Sequence, residues 1–199
     1  MERALIIMIR NPVKGKVKTR LAKDIGEETA LDIYNKLLSY TNAVASEVQT
    51  DRFLFYSDVI SRSDIFDNST YKKYVQCNGN LGIRMDYAFS IPFKNEYRKV
   101  VMIGSDCPGL TAKHIEQAFV ALEENDFVIG PASDGGYYLI GMHKWNRWIF
   151  ENKNWSTRTL LEEAKKDIQS RNGKLIELEI LSDIDSVSDL NKYPGFFTR

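Results

Sequence analysis

The chain reads as an α/β protein, three layers deep, with helices on both faces of a mostly parallel sheet. Three features predict that class. Short, continuous apolar runs recur at 4–9, 52–56, 100–103 and 127–130, the pattern of strands buried on both faces. Segments with helical spacing alternate with them, the longest from Gly26 to Val48. Two of the apolar runs end in polar, glycine-containing turns, where open α/β sheets bind their ligands.

The elements follow in order. ALIIMI at 4–9 suits a central strand. The next residues carry five cations within eleven positions (Arg10, Lys14, Lys16, Lys18, Arg20), with Pro12 and Gly15 arguing for a shaped loop and against the start of a helix. Such a loop can wrap phosphates or stand as a solvated basic face; it is neither a Walker A loop nor a GxGxxG turn. Ala30, Ile33, Tyr34, Leu37, Leu38, Thr41, Val44, Ala45 and Val48 then mark one face of a long amphipathic helix. RFLFY at 52–56 is a second buried strand, 57–70 a polar loop, and 71–77 a weaker strand. A helix spans about 83–91, with Arg84 near its start, placed to meet a phosphate or a neighbouring carboxylate.

VVMIGSDCPGL at 100–110 is a buried strand that delivers Asp106 to the sheet edge, or a strand whose Asp braces a turn. Thr111 caps a helix to about Glu124. FVIG at 127–130 runs into Asp134-Gly135-Gly136, then YYLIG resumes as a strand. The glycines permit close backbone approach to a ligand, or simply a hairpin. Trp145, Trp148, Phe150 and Trp155 cover the sheet or line an acceptor pocket. Ser156 or Thr157 caps a helix to about Ser170, and LIELEIL at 175–181 alternates like an edge strand. Ser186 and Asp189 form a capping pair, leaving Asp183 and Asp185 on the loop before it.

Composition limits function. At 199 residues, with 43% hydrophobic and 27% charged positions, the chain is expected to form one globular domain over 1–199. Lys plus Arg equals Asp plus Glu at 27 each, which gives no global field for nucleic acid or an anionic membrane. The N-terminal apolar stretch is too short to span a bilayer and lacks a cleavage site, so a cytoplasmic location is expected. Two unpaired cysteines and two histidines argue against a zinc site, and Cys107 has no activating histidine nearby in sequence.

RNPVKGKVKTRL, GNLGIRM, IGSDCPGLT, GPASDGGYYLIG, Trp155-Ser156-Thr157 and DIDSVSDL, kept in that order, resemble a bacterial glycosyltransferase-like family, DUF2064, of the GT-A nucleotide-diphospho-sugar transferase superfamily. The chain departs from that pattern at Lys14, where many relatives carry proline, and at Ser186, where threonine is usual. The resemblance implies a nucleotide donor whose phosphates meet Arg10, Lys18 and Arg20, with Asn11, Pro12, Gly15, Arg84 and Ser105 as further nucleotide-binding candidates. It implies Mg²⁺ or Mn²⁺ held by Asp106 and Asp185, and a small-molecule acceptor beside Asp134, Gly135, Gly136, Tyr137, Trp155 and Ser156. Asp106, Lys18 and Arg20 are the expected catalytic groups, acting by charge neutralisation without a covalent intermediate. Glycosyl transfer from a nucleotide sugar is the leading expectation. Nucleotidyl transfer with pyrophosphate release, as in the similar 2-phospho-L-lactate guanylyltransferase and molybdenum-cofactor nucleotidyltransferases, and a non-catalytic nucleotide-binding module are the alternatives.

Overall fold

The computed structural model describes residues 2–155 and 157–194. Seven strands form one sheet: β1 (Arg3–Ile9), β2 (Asp51–Tyr56), β3 (Tyr71–Val75), β4 (Lys99–Ile103), β5 (Phe127–Pro131), β6 (Tyr137–Met142) and β7 (Leu175–Glu177). Their spatial order is β3-β2-β1-β4-β6-β5-β7. Every pairing is parallel except those of β6, which runs antiparallel to both β4 and β5. The Asp-Gly-Gly segment therefore turns a hairpin between β5 and β6. The expected edge strand at 175–181 shortens to β7, paired only with β5.

Alternation along β1 builds two cores from one strand. Leu5, Ile7 and Ile9 point to the side of α2 (Glu27–Glu47) and α4 (Ala112–Ala121), where they meet Tyr34, Leu38, Ile115 and Phe119. Ala4 and Ile6 point to the side of α3 (Leu81–Lys94) and α5 (Leu160–Ser170), against Met85, Phe89, Ala164 and Ile168. With helices on both faces the inner strands β4 and β5 have no wet side, which is why they read as unbroken apolar runs, whereas the edge strands β3 and β7 keep exposed residues. Asn80 caps α3 by accepting from the Ile83 amide at 3.0 Å. In α4 the Thr111 amide donates to His114 Nδ1 at 3.0 Å. The helix after the tryptophans starts at Leu160, three residues beyond Thr157.

A small third cluster was not foreseen. Pro12 and Gly15 do shape a loop, but it ends in α1 (Thr19–Ile25), a helix that the sequence reading denied. Leu21 of α1, Ile33 and Leu37 of α2 and Ile184 pack together, with Val187 and Leu190 of α6 (Val187–Leu190) against them. This patch carries the late acidic loop over to the basic one. Among the described residues no helix is long and apolar enough to cross a membrane.

Candidate functional site

The site lies beyond the carboxyl ends of β1, β2 and β4, in a groove of about 840 Å³. Its floor is a set of hydrogen bonds that hold the strand ends in place. Tyr34, reaching up from α2, accepts from the Arg10 amide at 2.8 Å, and its hydroxyl lies 3.2 Å from both the Arg10 carbonyl and Ser105 Oγ. Burial pushes the Tyr34 phenol up in pKa, so it stays a neutral bridge between the β1 and β4 ends. Asn11 is spent on its neighbours: Oδ1 accepts from the Asp58 amide at 2.9 Å and Nδ2 donates to the Val59 carbonyl at 2.8 Å. Gln76 Nε2 donates to the Ile9 and Phe55 carbonyls at 3.0 and 3.1 Å, tying β1 to β2.

The basic loop turns back at Gly15, whose φ is +74°, and anchors itself by burying Val17. Lys18 then adopts the left-handed conformation, φ 45° and ψ 43°, at the start of α1. That conformation costs a side-chain-bearing residue about 1–2 kcal/mol. The strain is offset by where the side chain goes: Lys18 Nζ donates to Asp106 Oδ2 at 2.9 Å and to Asp185 Oδ1 at 3.5 Å, and only 5% of the side chain is exposed. Burial works against the ammonium, but the Asp106, Asp185 and Asp183 carboxylates outweigh it, and the Lys18 pKa rises. Arg20, two residues on and largely exposed, donates to Asp185 Oδ2 at 3.2 Å.

Two loops bring the carboxylates together. After β4 the chain passes through Gly104 and Ser105 to Asp106, whose carbonyl accepts from the Ile184 amide at 2.9 Å. Ile184 is fully buried, so the residues on either side of it, Asp183 and Asp185, emerge beside Asp106. Asp183 Oδ1 is buried without a hydrogen-bond partner. Burial first, and then the neighbouring Asp106 charge, raise the Asp183 pKa well above the ordinary carboxylate value. Cys107 is buried, and burial pushes its thiol up, the reverse of what a nucleophile needs.

The groove walls include Arg10, Asn11, Lys18, Arg20, Arg84, Ser105, Asp106 and Asp185. Eight residues named from sequence for donor or metal thus converge. Arg84 Nε also donates to the Gly79 carbonyl at 2.9 Å. Pro12 and Gly15 shape the loop without walling the groove. Asp134, Gly135, Gly136 and Tyr137 are not among the walls either. Asp134 Oδ1 accepts from the Gly136 amide at 2.9 Å, closing the turn, and its charge is felt at Asp183. Tyr137 is half-buried at the start of β6. Trp155 lines a separate pocket of about 370 Å³ with Asn80, Ile83 and Phe150, on the other side of the α3 N-terminus. Ser156 lies outside the described residues. Among the described residues no three His, Cys, Asp or Glu side chains are arranged to hold a metal ion.

Tyr34 is the residue that sequence reasoning passed over, while Asp183 stood there beside Asp185 as a free carboxylate of the late loop. Tyr34 sat at an apolar position of an amphipathic helix, and its hydroxyl gave no sign of reaching the sheet edge. Tyr34→Phe removes the acceptor of the Arg10 amide and a partner of Ser105. It is expected to lower stability by about 1–2 kcal/mol in urea denaturation.

Residues 40–157, more than half of the chain, match the family described as "Uncharacterized protein conserved in bacteria (DUF2064)", and the chain belongs to that family. A crystal structure from Desulfovibrio desulfuricans G20, provisionally described as a nucleotide-diphospho-sugar transferase, is 26% identical. It superposes with a TM-score of 0.88 over 98% of this chain and 90% of that one. The inositol-1-phosphate CTP transferase from T. maritima shares the fold at 14% identity, TM-score 0.61, over 98% and 93% of the two chains. So does Rv0371c of Mycobacterium tuberculosis H37Rv in complex with manganese, at 13% identity and TM-score 0.55 over 96% of each. No curated protein gives a significant match.

Proposed function

We propose that this member of the DUF2064 family is a transferase that uses a nucleotide-activated donor, with glycosyl transfer from a nucleotide sugar to a small acceptor as its reaction. The observation that carries this reading is the convergence of Lys18, Arg20, Asp106 and Asp185 in one groove at the ligand edge of the sheet. The first loop supplies cations for a diphosphate, and the groove at the strand ends, about 840 Å³, has the volume for the attached nucleoside. The likeness at 26% identity to a protein described as a nucleotide-diphospho-sugar transferase supports the choice of donor.

The donor set also fits a hard divalent cation. Asp106 and Asp185 offer oxygen alone, and the unpartnered Asp183 Oδ1 lies in the same cluster. Asp106 and Asp185 would hold Mg²⁺ or Mn²⁺ together with donor phosphates; when bound, the ion neutralises charge on the leaving phosphate. Lys18 and Arg20 take part of the same charge, Lys18 from a nearly dry position where an ion pair is worth more than in water. Tyr34 and Gln76 keep the strand ends from spreading as the charged donor enters. A neutral, buried Cys107, whose thiol is held protonated by burial and by the Asp183 and Asp106 charges, is a poor nucleophile, which favours direct transfer to the acceptor.

Nucleotidyl transfer is the second reading, favoured by the shared fold with a CTP transferase and by a cationic lip suited to a departing pyrophosphate. The products separate the two. Incubation with nucleotide sugars is expected to release a nucleoside diphosphate, whereas pyrophosphate released from a nucleoside triphosphate would favour nucleotidyl transfer. Arg20→Ala, at an exposed position, is expected to lower kcat/KM for the donor about tenfold, an effect that shrinks in salt.

A further inference from the structure

Asp106 and Asp185 already hold a cation, and it belongs to the protein. Lys18 Nζ is 2.9 Å from one carboxylate and 3.5 Å from the other, while Arg20 Nη1 is 3.2 Å from Asp185. Two carboxylates face two cations, so these four ion-paired groups carry no net charge. The Lys18 side chain is 5% exposed and enters from a left-handed backbone. Its ammonium is therefore almost shielded from water in the free protein, and the carboxylates are its solvation. A divalent ion arriving alone would displace that solvation and leave a buried ammonium beside a second positive centre. The protein also offers it too few ligands, for among the described residues no three carboxylate, thiol or imidazole groups are set to hold a metal.

A polyphosphate changes both terms. Its oxygens give Lys18 and Arg20 new anionic partners, which frees Asp106 and Asp185, and they complete the shell of a hard cation. Building on the function proposed above, we infer that Lys18 occupies the cation position of the free protein, which excludes divalent metal until it arrives as a metal–polyphosphate complex. Lys18 is thus the resident counter-ion of the empty groove and the phosphate ligand of the filled one. The form of donor recognised is the chelate, and metal and donor bind as one ligand.

The test is Mn²⁺ binding to the full chain by electron paramagnetic resonance and calorimetry, without nucleotide and with each of ATP, CTP, GTP, UTP and UDP-glucose. Wild type is expected to show no saturable uptake of free Mn²⁺ up to millimolar concentration and to bind it once a nucleotide is present. Lys18→Met, with the ammonium gone, is expected to bind free Mn²⁺ at least about tenfold more tightly than wild type. Lys18→Arg, which keeps the charge, is expected to exclude it, and should Lys18→Met fail to fold, wild type and Lys18→Arg carry the comparison. Free Mn²⁺ bound by wild type as tightly as in the nucleotide complex, or equally by wild type and Lys18→Met, overturns this inference and leaves the proposed function standing. A wild-type protein that binds none of these nucleotides, with or without Mn²⁺, overturns the proposed function and the inference with it.

Discussion

Asp106→Asn is expected to lower kcat/KM for the donor by about 10²–10³-fold, with a separate loss of stability because the buried Lys18 ammonium keeps only its weaker Asp185 partner. The substitution keeps the shape of the side chain and leaves the Asp106 carbonyl free to accept from the Ile184 amide, so the loop that presents residue 106 stays tied to the late acidic loop. What it removes is charge. Lys18 loses its 2.9 Å partner, and the cluster loses one of the two carboxylates that face the first loop. A loss of two to three powers of ten is the usual consequence of deleting one preorganised charge-stabilising group in a dry site. Steady-state assays of nucleotide release, with thermal melting as the check on folding, measure both quantities. If donor affinity and metal dependence are both unchanged in Asp106→Asn, the groove does not perform transfer and the chain is a nucleotide-binding module.

The sheet was legible because burial on both faces leaves strong marks. ALIIMI and VVMI can be nothing but interior strands once helical segments flank them, and that placement carried Asp106 to the ligand edge. The late acidic loop was legible only as a pair of candidates. The choice between Asp183 and Asp185 depends on Ile184, whose complete burial and amide bond to the Asp106 carbonyl are contacts across 78 residues that no local pattern encodes. The structure places Asp185 against Lys18 and Arg20, and Asp183 deeper with an unsatisfied oxygen. Helix α1 was missed for a different reason. Pro12 and Gly15 break the chain as expected, but Lys18 resets it through a left-handed residue, a turn usually signalled by glycine or asparagine and here sustained by an ion pair. The aromatic run gave no sign of its partner: Trp155 is three residues from Arg158, which packs on the glycine turn, yet it lines the separate pocket beside α3.

Gly135→Ala is expected to destabilise the protein by about 3 kcal/mol or more, lowering its melting temperature by roughly 6–12 °C for a chain of this size. Two costs add. The φ of Gly135 is +91°, which a side chain resists, and a Cβ there would lie 2.6 Å from the Cα of Arg158 and overlap its carbonyl oxygen. The obstacle is backbone, so no rotamer change removes it. Gly26→Ala isolates the first cost: its φ is +84° and nothing lies within 4 Å of the added Cβ, so a loss of about 1–2 kcal/mol is expected there. The difference between the two variants in urea denaturation reports the clash alone. Activity should follow stability only at Gly135, because that turn is joined to the carboxylate loop. The Gly135 carbonyl accepts from the Leu161 amide at 3.0 Å, and Ser133, two residues before, donates its amide to the Leu181 carbonyl at 2.9 Å. Pushing Gly135 off Arg158 therefore pulls on Leu181 and, through it, on Asp183 and Asp185. A Gly135→Ala protein that loses stability yet retains full turnover at a temperature where it is folded would show that the turn is merely a hairpin between β5 and β6, with no bearing on how the carboxylates are held.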